Sequence, residues 1–281
     1  MDARYITEEQ INTFTAYLRN EEHAPATIEK YCRDVRSFAC WLRGGEVTKE
    51  TAAAWKAHLL ASGRAPVTVN ALLAAANRFF HCMGWEDCRL KYLTLQRRLF
   101  RENRRDLTRE DYEKLYEAAQ RTGRLRLALL METLASTGIR ISELKYITVQ
   151  AAQSGRTDIH LKGKIRTILL PGKLCRKLLK YARKQKIALG EIFLSKGGHA
   201  ISRKQVWAEL KRLSREAGVE PDKVFPHNLR HLFAVAFYKV CKDIARLADV
   251  LGHTSIETTR IYLLSTSGEH TRILEQLQLV Q

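Results

Sequence analysis

Apolar residues recur at steps of three and four along the first third of the chain, which predicts amphipathic helices separated by short polar breaks. The first predicted helix begins at a capping box, TEEQ at residues 7–10, and the second follows Pro25. A third begins at Thr48, and Thr68 is placed to cap a fourth. Because no alternating, strand-like pattern intervenes, residues 1–88 are predicted to form a small four-helix bundle.

The remainder of the chain combines helical spacing with a single β pattern. Residues 89–106 are basic, contain neither Gly nor Pro, and are predicted to form an ordered linker. A second capping signature, LTRED, begins a domain that is predicted to extend over residues 107–281. Within it, residues 157–170 change to two short β-rich runs around a glycine, which predicts one hairpin among helices. The predicted fold class is therefore mainly α, with a helical N-terminal domain and a mostly helical α+β C-terminal domain.

Charge narrows the possible partners. The chain carries 48 Lys and Arg against 30 Asp and Glu, a formal net charge of +18 at pH 7, which favours a polyanionic partner such as nucleic acid. Residues 89–105 and 156–186 concentrate the basic side chains, and although either run alone could be a solvated helix face, together they favour contacts with phosphates. The candidate DNA contacts in these runs are Arg97, Arg98, Arg101, Arg104, Arg105, Lys164 and Arg166.

Composition disfavours several other classes of protein. Hydrophobic residues make up 45% of the chain and charged residues 28%, which is unlike a disordered or low-complexity chain. No apolar run approaches the roughly 18 residues that would span a membrane, and the polar first residues do not predict a signal peptide, so we expect a bacterial cytoplasmic protein. The six cysteines contain no C-x-x-C pair, which predicts free thiols rather than a zinc ribbon or a disulfide framework.

Several motifs in the second domain could carry chemistry, although each also has a simpler explanation. Arg140 follows the helix-breaking Gly138 and precedes Glu143 by three residues, so the arginine and the glutamate could form only a surface ion pair. His227 and His231 would share one helical face, as in some zinc sites, but neither the glutamate of an H-E-x-x-H motif nor a nearby cysteine accompanies them. We therefore predict no metal site.

Two further candidates lie near the end of the chain. His253 comes directly after a Leu-Gly pair and could simply cap a helix end. Tyr262, nine residues later, is one of ten tyrosines and could be a half-buried packing residue. Taken together, and in their order along the chain, these candidate residues are much harder to explain by packing alone.

This ordered set resembles the phage integrase, or tyrosine recombinase, family, and the chain length resembles that of the compact Xer-like members. The helices that contain PATIEKY and VTVNALL are similar to the family's N-terminal core-binding, SAM-like domain, and DLTRED resembles the entry to its catalytic domain. The residues that carry the resemblance are Arg140 in T-G-x-R-x-x-E-L, Lys162 in the hairpin, His227 and Arg230 in H-x-L-R-H, His253 in L-G-H, and Tyr262.

The resemblance implies a site-specific recombinase that acts on double-stranded DNA. Such an enzyme would cleave and rejoin strands through a covalent 3′-phosphotyrosyl intermediate, in DNA integration, excision or resolution. It would need neither metal nor ATP, and no other cofactor is implied. Two DNA sites would be joined by a homotetramer whose subunits are monomers or weak oligomers away from DNA, and no membrane association is implied.

Most matched residues have an expected role in that reaction. Tyr262 would be the nucleophile, while the guanidiniums of Arg140 and Arg230 would bind the non-bridging oxygens of a crowded, doubly anionic transition state. The pKa of a free phenol is about 10, so His227 would accept the tyrosine proton during the attack. His253 would donate to the same phosphate in the manner of an oxyanion-hole group.

The departing 5′ oxygen needs a proton, and by resemblance a hairpin lysine supplies it. Lys162 fills this role in the match. The family's turn commonly carries an extra residue and a glycine before the lysine, whereas Leu161 precedes Lys162 here, so Lys164 stays the alternative. Glu143, one turn from Arg140, would orient the arginine side chain.

Other activities are compatible with parts of this pattern. A type IB topoisomerase would share the chemistry and act as a monomer, whereas a nucleic-acid-binding regulator would use the same residues only as phosphate contacts. A metal-dependent nuclease would need a carboxylate cluster that the sequence lacks. The spacing of Ile273, Leu274, Leu277 and Leu279 predicts a short C-terminal helix, which would dock either on its own domain or on a neighbouring protomer.

Overall fold

The structure, a computed structural model, describes residues 3–95, 106–161, 164–195, 197–263 and 275–277, with the backbone alone at 160, 161 and 164. The chain divides into two compact units, Met1–Arg97 and Arg98–Gln281. Helices make up most of the described residues, which also contain a two-stranded antiparallel sheet. The predicted mainly α fold class is confirmed.

Helices packed on one another form the first unit. They are α1 (Glu8–Asn20), α2 (Pro25–Leu42), α3 (Lys49–Ala61) and α4 (Pro66–Cys82). The capping box at α1 is present, because the Thr7 hydroxyl accepts from the Gln10 N–H and the Gln10 side chain accepts from the Thr7 N–H. The prediction that Thr68 caps α4 is wrong: the helix already begins at Pro66, whose fixed φ suits the first helical position, and Thr68 lies inside the first turn.

Aromatic side chains fill the core of this unit. The rings of Phe38 and Trp55 lie 4.6 Å apart between centroids, and Phe14 meets Phe79 edge-on at 5.4 Å. All four side chains are buried, and each comes from a different helix of the bundle. The aromatic pairs therefore join α2 to α3 and α1 to α4, and the contact of Phe38 with Phe80 of α4 links the two pairs.

The second unit places helices around one hairpin. The helices are α5 (Arg109–Arg121), α6 (Leu125–Thr137), α7 (Val149–Ser154), α8 (Gly172–Lys184), α9 (Arg203–Glu216), α10 (Pro226–Cys241), α11 (Ile244–Leu251) and α12 (Ile256–Arg260). Short 3₁₀ turns cover Ile141–Tyr146 and Ile261–Leu263. Helix α7 is absent from the sequence predictions because six residues are too few to establish a helical period. Helix α6 lies at the centre, in contact with α5, α8, α9 and α10.

The predicted hairpin consists of β1 (Arg156–Leu161) and β2 (Lys164–Leu169), paired antiparallel. Arg156 lies opposite Leu169, and Ile159 lies opposite Arg166. Ile159 and Ile168 are buried while Leu169 is exposed, so one face of the hairpin packs on the unit's core. Residues 162–163 at its tip are outside the described residues.

Several sequence predictions fall on parts of the chain that the structure does not describe. They concern Lys162, Arg97, Arg98, Arg101, Arg104, Arg105 and, apart from Glu275–Leu277, the C-terminal helix. All six cysteines are free thiols. Within the described ranges, no helix is both long enough and apolar enough to cross a membrane.

Candidate active site

The end of α6 places Arg140 beside α10. Gly138 ends α6 in the left-handed conformation, with a φ of +63°, and a Cβ there would lie 2.3 Å from the Phe233 ring of α10. Glycine is therefore required both for the backbone angle and for the close approach of Phe233. Arg140 follows just before the 3₁₀ turn, with 41% of its side chain exposed. It is the more accessible of the two predicted catalytic arginines.

Arg230 on α10 is almost completely buried and is held by main-chain oxygens. Its Nη1 donates to the Gly138 carbonyl at 2.5 Å, and its Nη2 donates to the Leu251 carbonyl at 2.7 Å. Burial, followed by the nearby positive charge of Arg140, lowers the pKa of Arg230 to about 10, so the guanidinium stays protonated at neutral pH. The arginine thus joins the ends of two helices, α6 and α11, at the site.

His253 sits at the end of α11 in a fixed tautomer. Gly252 ends the helix with a φ of +63°, and the His253 N–H donates to the Ala248 carbonyl, as in a Schellman motif. The Nε2 atom lies 2.9 Å from Arg230 Nη2, and because arginine can only donate, Nε2 must be the acceptor. The proton is therefore on Nδ1, which donates to the Thr259 hydroxyl at 2.8 Å.

This environment keeps the His253 imidazole neutral. Burial is the largest cause, and the charges of Arg230, Arg140 and Arg166 act in the same direction, so that the pKa of His253 falls to about 4. His253 therefore orients Arg230 rather than adding positive charge.

Tyr262 lies in the 3₁₀ turn that follows α12 and is surrounded by imidazole rings. Its ring centroid is 5.2 Å from that of His231, and 5.8 Å from those of His227 and His253. Only 7% of the residue is exposed, and it packs with Ala234 of α10 in a small apolar cluster. The phenol is thus positioned by packing within the protein.

Glu143 links two arginines in the site. Its carboxylate accepts from the Arg140 N–H at 2.8 Å and from Arg140 Nη1 at 2.9 Å. Arg166 Nη1 lies 3.1 and 3.3 Å from the two Glu143 oxygens. Glu143 is 1% exposed, so this carboxylate depends on both guanidiniums for compensation of its charge.

The fold brings together residues that are distant in the sequence. The predicted site residues that meet here are Arg140, Glu143, Arg166, His227, Arg230, His253 and Tyr262. Lys164 is described only in its backbone. Sequence reasoning did not select His231, Gly252 or Thr259 as site residues. The spacing of four between His227 and His231 was a usable signal, because it places both rings on one face of α10, where both lie against Tyr262.

Among the described residues, no group of three or more His, Cys, Asp and Glu side chains is arranged to hold a metal ion. Positive charge at the site comes instead from guanidiniums, which can bind an anion through several directed hydrogen bonds.

Comparison with known proteins identifies the class to which this fold and site belong. The phage integrase family model matches residues 105–269, and the model of the phage integrase N-terminal SAM-like domain matches residues 11–87. The chain therefore belongs to the phage integrase family and is a tyrosine-type site-specific recombinase.

Relatives and solved structures agree with this assignment over most of the chain. Tyrosine recombinase XerA of Thermococcus kodakarensis is 29% identical, covering 97% of this chain and 96% of its own. Tyrosine recombinase XerC of Erythrobacter litoralis is 30% identical, covering 90% and 86%. A lambda integrase dimer bound to a COC' core site shares the fold, with a TM-score of 0.72 at 18% identity over 92% of this chain and 77% of that one.

Proposed function

We propose that this recombinase cleaves double-stranded DNA by attack of the Tyr262 phenol on a phosphodiester that Arg140 and Arg230 bind. The observation that carries the proposal is the position of Tyr262, buried among three imidazoles, one of which is hydrogen-bonded to Arg230. A nucleophile, cationic donors and imidazole bases thus converge in one small volume.

Cleavage is a transesterification in which one bond replaces another. The Tyr262 oxygen forms a bond to phosphorus, and the bond from phosphorus to the 5′ oxygen breaks, leaving a 3′-phosphotyrosine and a free 5′ hydroxyl. Rejoining reverses these changes when a 5′ hydroxyl attacks the phosphotyrosine. Because the energy of the original bond is retained in the intermediate, the cycle needs no ATP, and the guanidiniums stabilise the anionic transition state without a metal.

Two protons must move in each cleavage. His227, whose ring lies against Tyr262, accepts the phenol proton, and the hairpin lysine gives a proton to the 5′ oxygen. His253 can donate to the phosphate once Arg230 Nη2 turns from it to the ligand and Nε2 gains a proton. A bound phosphate favours that protonation because its negative charge raises the pKa of a neighbouring imidazole.

The DNA partner and the assembly follow from relatives rather than from this chain alone. A related structure is a lambda integrase tetramer bound to a Holliday junction. By analogy, we infer a homotetramer on two DNA sites, with one phosphotyrosine formed by each active subunit. The net charge of +18 supports strong phosphate binding, and Arg97, Arg98, Arg101, Arg104 and Arg105 are proposed contacts to the backbone. We place the activity in the bacterial cytosol.

A covalent capture experiment tests this function. The probe is a nicked duplex carrying flanking host and element sequence, from which the short cleaved strand diffuses away and prevents rejoining. We expect a protein–DNA adduct on denaturing gels in excess EDTA and without nucleotide. Binding without any adduct would favour a regulator, and an adduct that requires Mg²⁺ would contradict the metal-free reaction. Failure to exchange strands between paired sites, with normal relaxation of supercoils by a monomer, would favour a topoisomerase.

The choice between Lys162 and Lys164 has its own test. Replacing the bridging 5′ oxygen with sulfur makes a leaving group that needs no proton, so it should restore cleavage selectively when the proton donor is removed. We expect Lys162→Ala to slow cleavage of the ordinary phosphodiester more than Lys164→Ala, and the sulfur substrate to rescue Lys162→Ala. Selective rescue of Lys164→Ala instead would assign the role to Lys164.

A further inference from the structure

A third arginine, Arg166, lies inside the site rather than on its surface. It is the third residue of β2 and pairs with Ile159 across the hairpin. Only 12% of its side chain is exposed, and burial is the main cause that lowers the pKa of its guanidinium. The charge pattern of the sequence predicts a DNA contact at Arg166, but a side chain so enclosed has little surface to offer a DNA backbone.

Arg166 compensates the charge of Glu143 independently of Arg140. One Arg166 nitrogen, Nη1, contacts both Glu143 oxygens, whereas Arg140 bonds the same carboxylate from the exposed side. When Arg140 turns toward a phosphate, Arg166 is the cation that remains on the buried carboxylate. Without Arg166, Glu143 would hold Arg140 more strongly and would reduce its capacity to bind an anion.

The charge count of the cluster supports the same conclusion. The positive groups are Arg140, Arg166 and Arg230, Glu143 is the negative group, and His253 is neutral because its pKa is about 4. While His253 is neutral, these groups together carry a net charge of +2. Loss of Arg166 would reduce it to +1, beside the arginine that is proposed to bind the phosphate.

Arg166 also supports the turn that carries His253. A Cβ at Gly252 would lie 2.4 Å from Arg166 Cδ, so the aliphatic part of the arginine occupies the space that a side chain would need. The Gly252 carbonyl accepts from Arg140 Nη2 at 3.4 Å, and the adjacent Leu251 carbonyl accepts from Arg230. The Arg166 side chain therefore packs against the turn whose carbonyls accept hydrogen bonds from both predicted catalytic arginines, Arg140 and Arg230.

The remaining donors of Arg166 carry an energetic cost. Its Nε and Nη2 atoms are buried and have no acceptor among the described residues. An unpaired, buried, charged donor is destabilising, and such groups concentrate where function requires them. A smaller or neutral residue at position 166 would avoid the cost of burying unpaired donors but would not neutralise Glu143.

We propose that Arg166 is a positioning residue for strand cleavage, acting through Glu143 on Arg140 and through Gly252 on the turn that carries His253. The proposal rests on the proposed function, because its readout is the rate of phosphotyrosine formation. A positioning role and the DNA contact that the charge pattern predicts differ in which measured property changes when Arg166 is replaced. A lost phosphate contact weakens DNA binding and reduces the salt dependence by about one unit of slope. A lost positioning residue slows cleavage on DNA that is already bound.

The test measures single-turnover cleavage at saturating protein, together with the Kd of one site at several salt concentrations. Arg166→Met should slow adduct formation roughly 10- to 100-fold, the range for partners that orient a catalytic group, without changing the Kd or its salt slope. Arg166→Lys should recover part of the rate because it restores the charge. Arg156→Met is the matched control, since it makes the same change at an exposed arginine of β1, and it should cleave at the wild-type rate.

A double variant separates charge compensation from a merely structural role. If Arg166 acts by neutralising Glu143, then Glu143→Gln should make Arg166→Met cleave faster, because the uncompensated carboxylate is gone. Thermal unfolding checks the fold of each variant, and if Arg166→Met does not fold, Arg166→Gln with and without Glu143→Gln gives the same comparison.

Each outcome decides between the alternatives. A wild-type protein without an adduct contradicts the proposed function itself. A normal adduct rate in the Arg166 variants, a defect confined to Kd and salt slope, or a double variant no faster than the single one would each overturn the positioning role of Arg166.

Discussion

Tyr262→Phe is expected to abolish the covalent protein–DNA adduct while leaving DNA affinity unchanged. The substitution removes the nucleophilic oxygen and no charge, and the ring keeps its packing among the three imidazoles. The measurement is adduct formation on nicked duplexes by denaturing gel, with binding of the same duplexes by native gel. No other change of a single atom in this chain should have a larger effect on activity.

A neighbouring tyrosine provides the control for this result. Tyr238 on α10 packs against the same apolar cluster as Tyr262, so Tyr238→Phe removes a nearby phenol oxygen without touching the proposed chemistry. We expect this variant to form the adduct at the wild-type rate. An adduct that persists in Tyr262→Phe would show that Tyr262 is not the nucleophile, whereas loss of the adduct in Tyr238→Phe would show that its loss is not specific to Tyr262.

Arg230→Lys is expected to lose both activity and stability, although it keeps the positive charge. The guanidinium spans the Gly138 carbonyl, the Leu251 carbonyl and His253 Nε2, and a single ammonium cannot reach all three acceptors. Cleavage should fall roughly 100- to 1,000-fold, as when an oxyanion donor is lost. Each buried acceptor left unsatisfied should also lower the free energy of unfolding by about 1–3 kcal/mol.

Arg140→Lys should separate the loss of cleavage activity from the loss of stability. Lysine keeps a positive charge beside the buried Glu143 carboxylate, and Arg166 still contacts both of its oxygens, so the free energy of unfolding should change less than in Arg230→Lys. Cleavage should still be severely reduced, because lysine binds the phosphate as a point charge rather than through two parallel donors. Urea unfolding and single-turnover cleavage of both variants check this contrast. Near-normal cleavage in either variant would argue against bidentate phosphate binding.

His253 must change its hydrogen bonding before it can donate to a phosphate. Its Nε2 accepts from Arg230, and its low pKa follows from burial among guanidiniums. The residue that is expected to donate to the phosphate therefore begins the cycle as an acceptor. Binding of DNA must turn Arg230 towards the phosphate, and the phosphate charge must raise the pKa of His253 so that the imidazole takes up a proton. The hydrogen-bond donors for the phosphate would then form only when the DNA is bound.

The sequence alone determined most of the helices, the hairpin and the ordered motifs that indicate the family. Helix starts such as Thr7 and the chain reversal at residues 157–170 follow from local chemistry, because capping side chains and β-branched runs act within a few residues. The error at Thr68 has the same local origin, since a proline two residues earlier is an equally strong start signal. The ordered motifs were enough to indicate the family, because their residue types and spacing carry the chemistry.

Only the tertiary structure decided which residues share an environment. Arg166 was selected from the sequence for its charge, yet folding buries it on Glu143, 23 positions earlier in the chain. His231 and Thr259 became part of the site because α10 and the segment after α11 pack around Tyr262 and His253. Charge and spacing are local properties of a sequence, whereas burial, hydrogen-bond partners and the protonation of His253 depend on contacts between distant segments, which form only when the chain is folded.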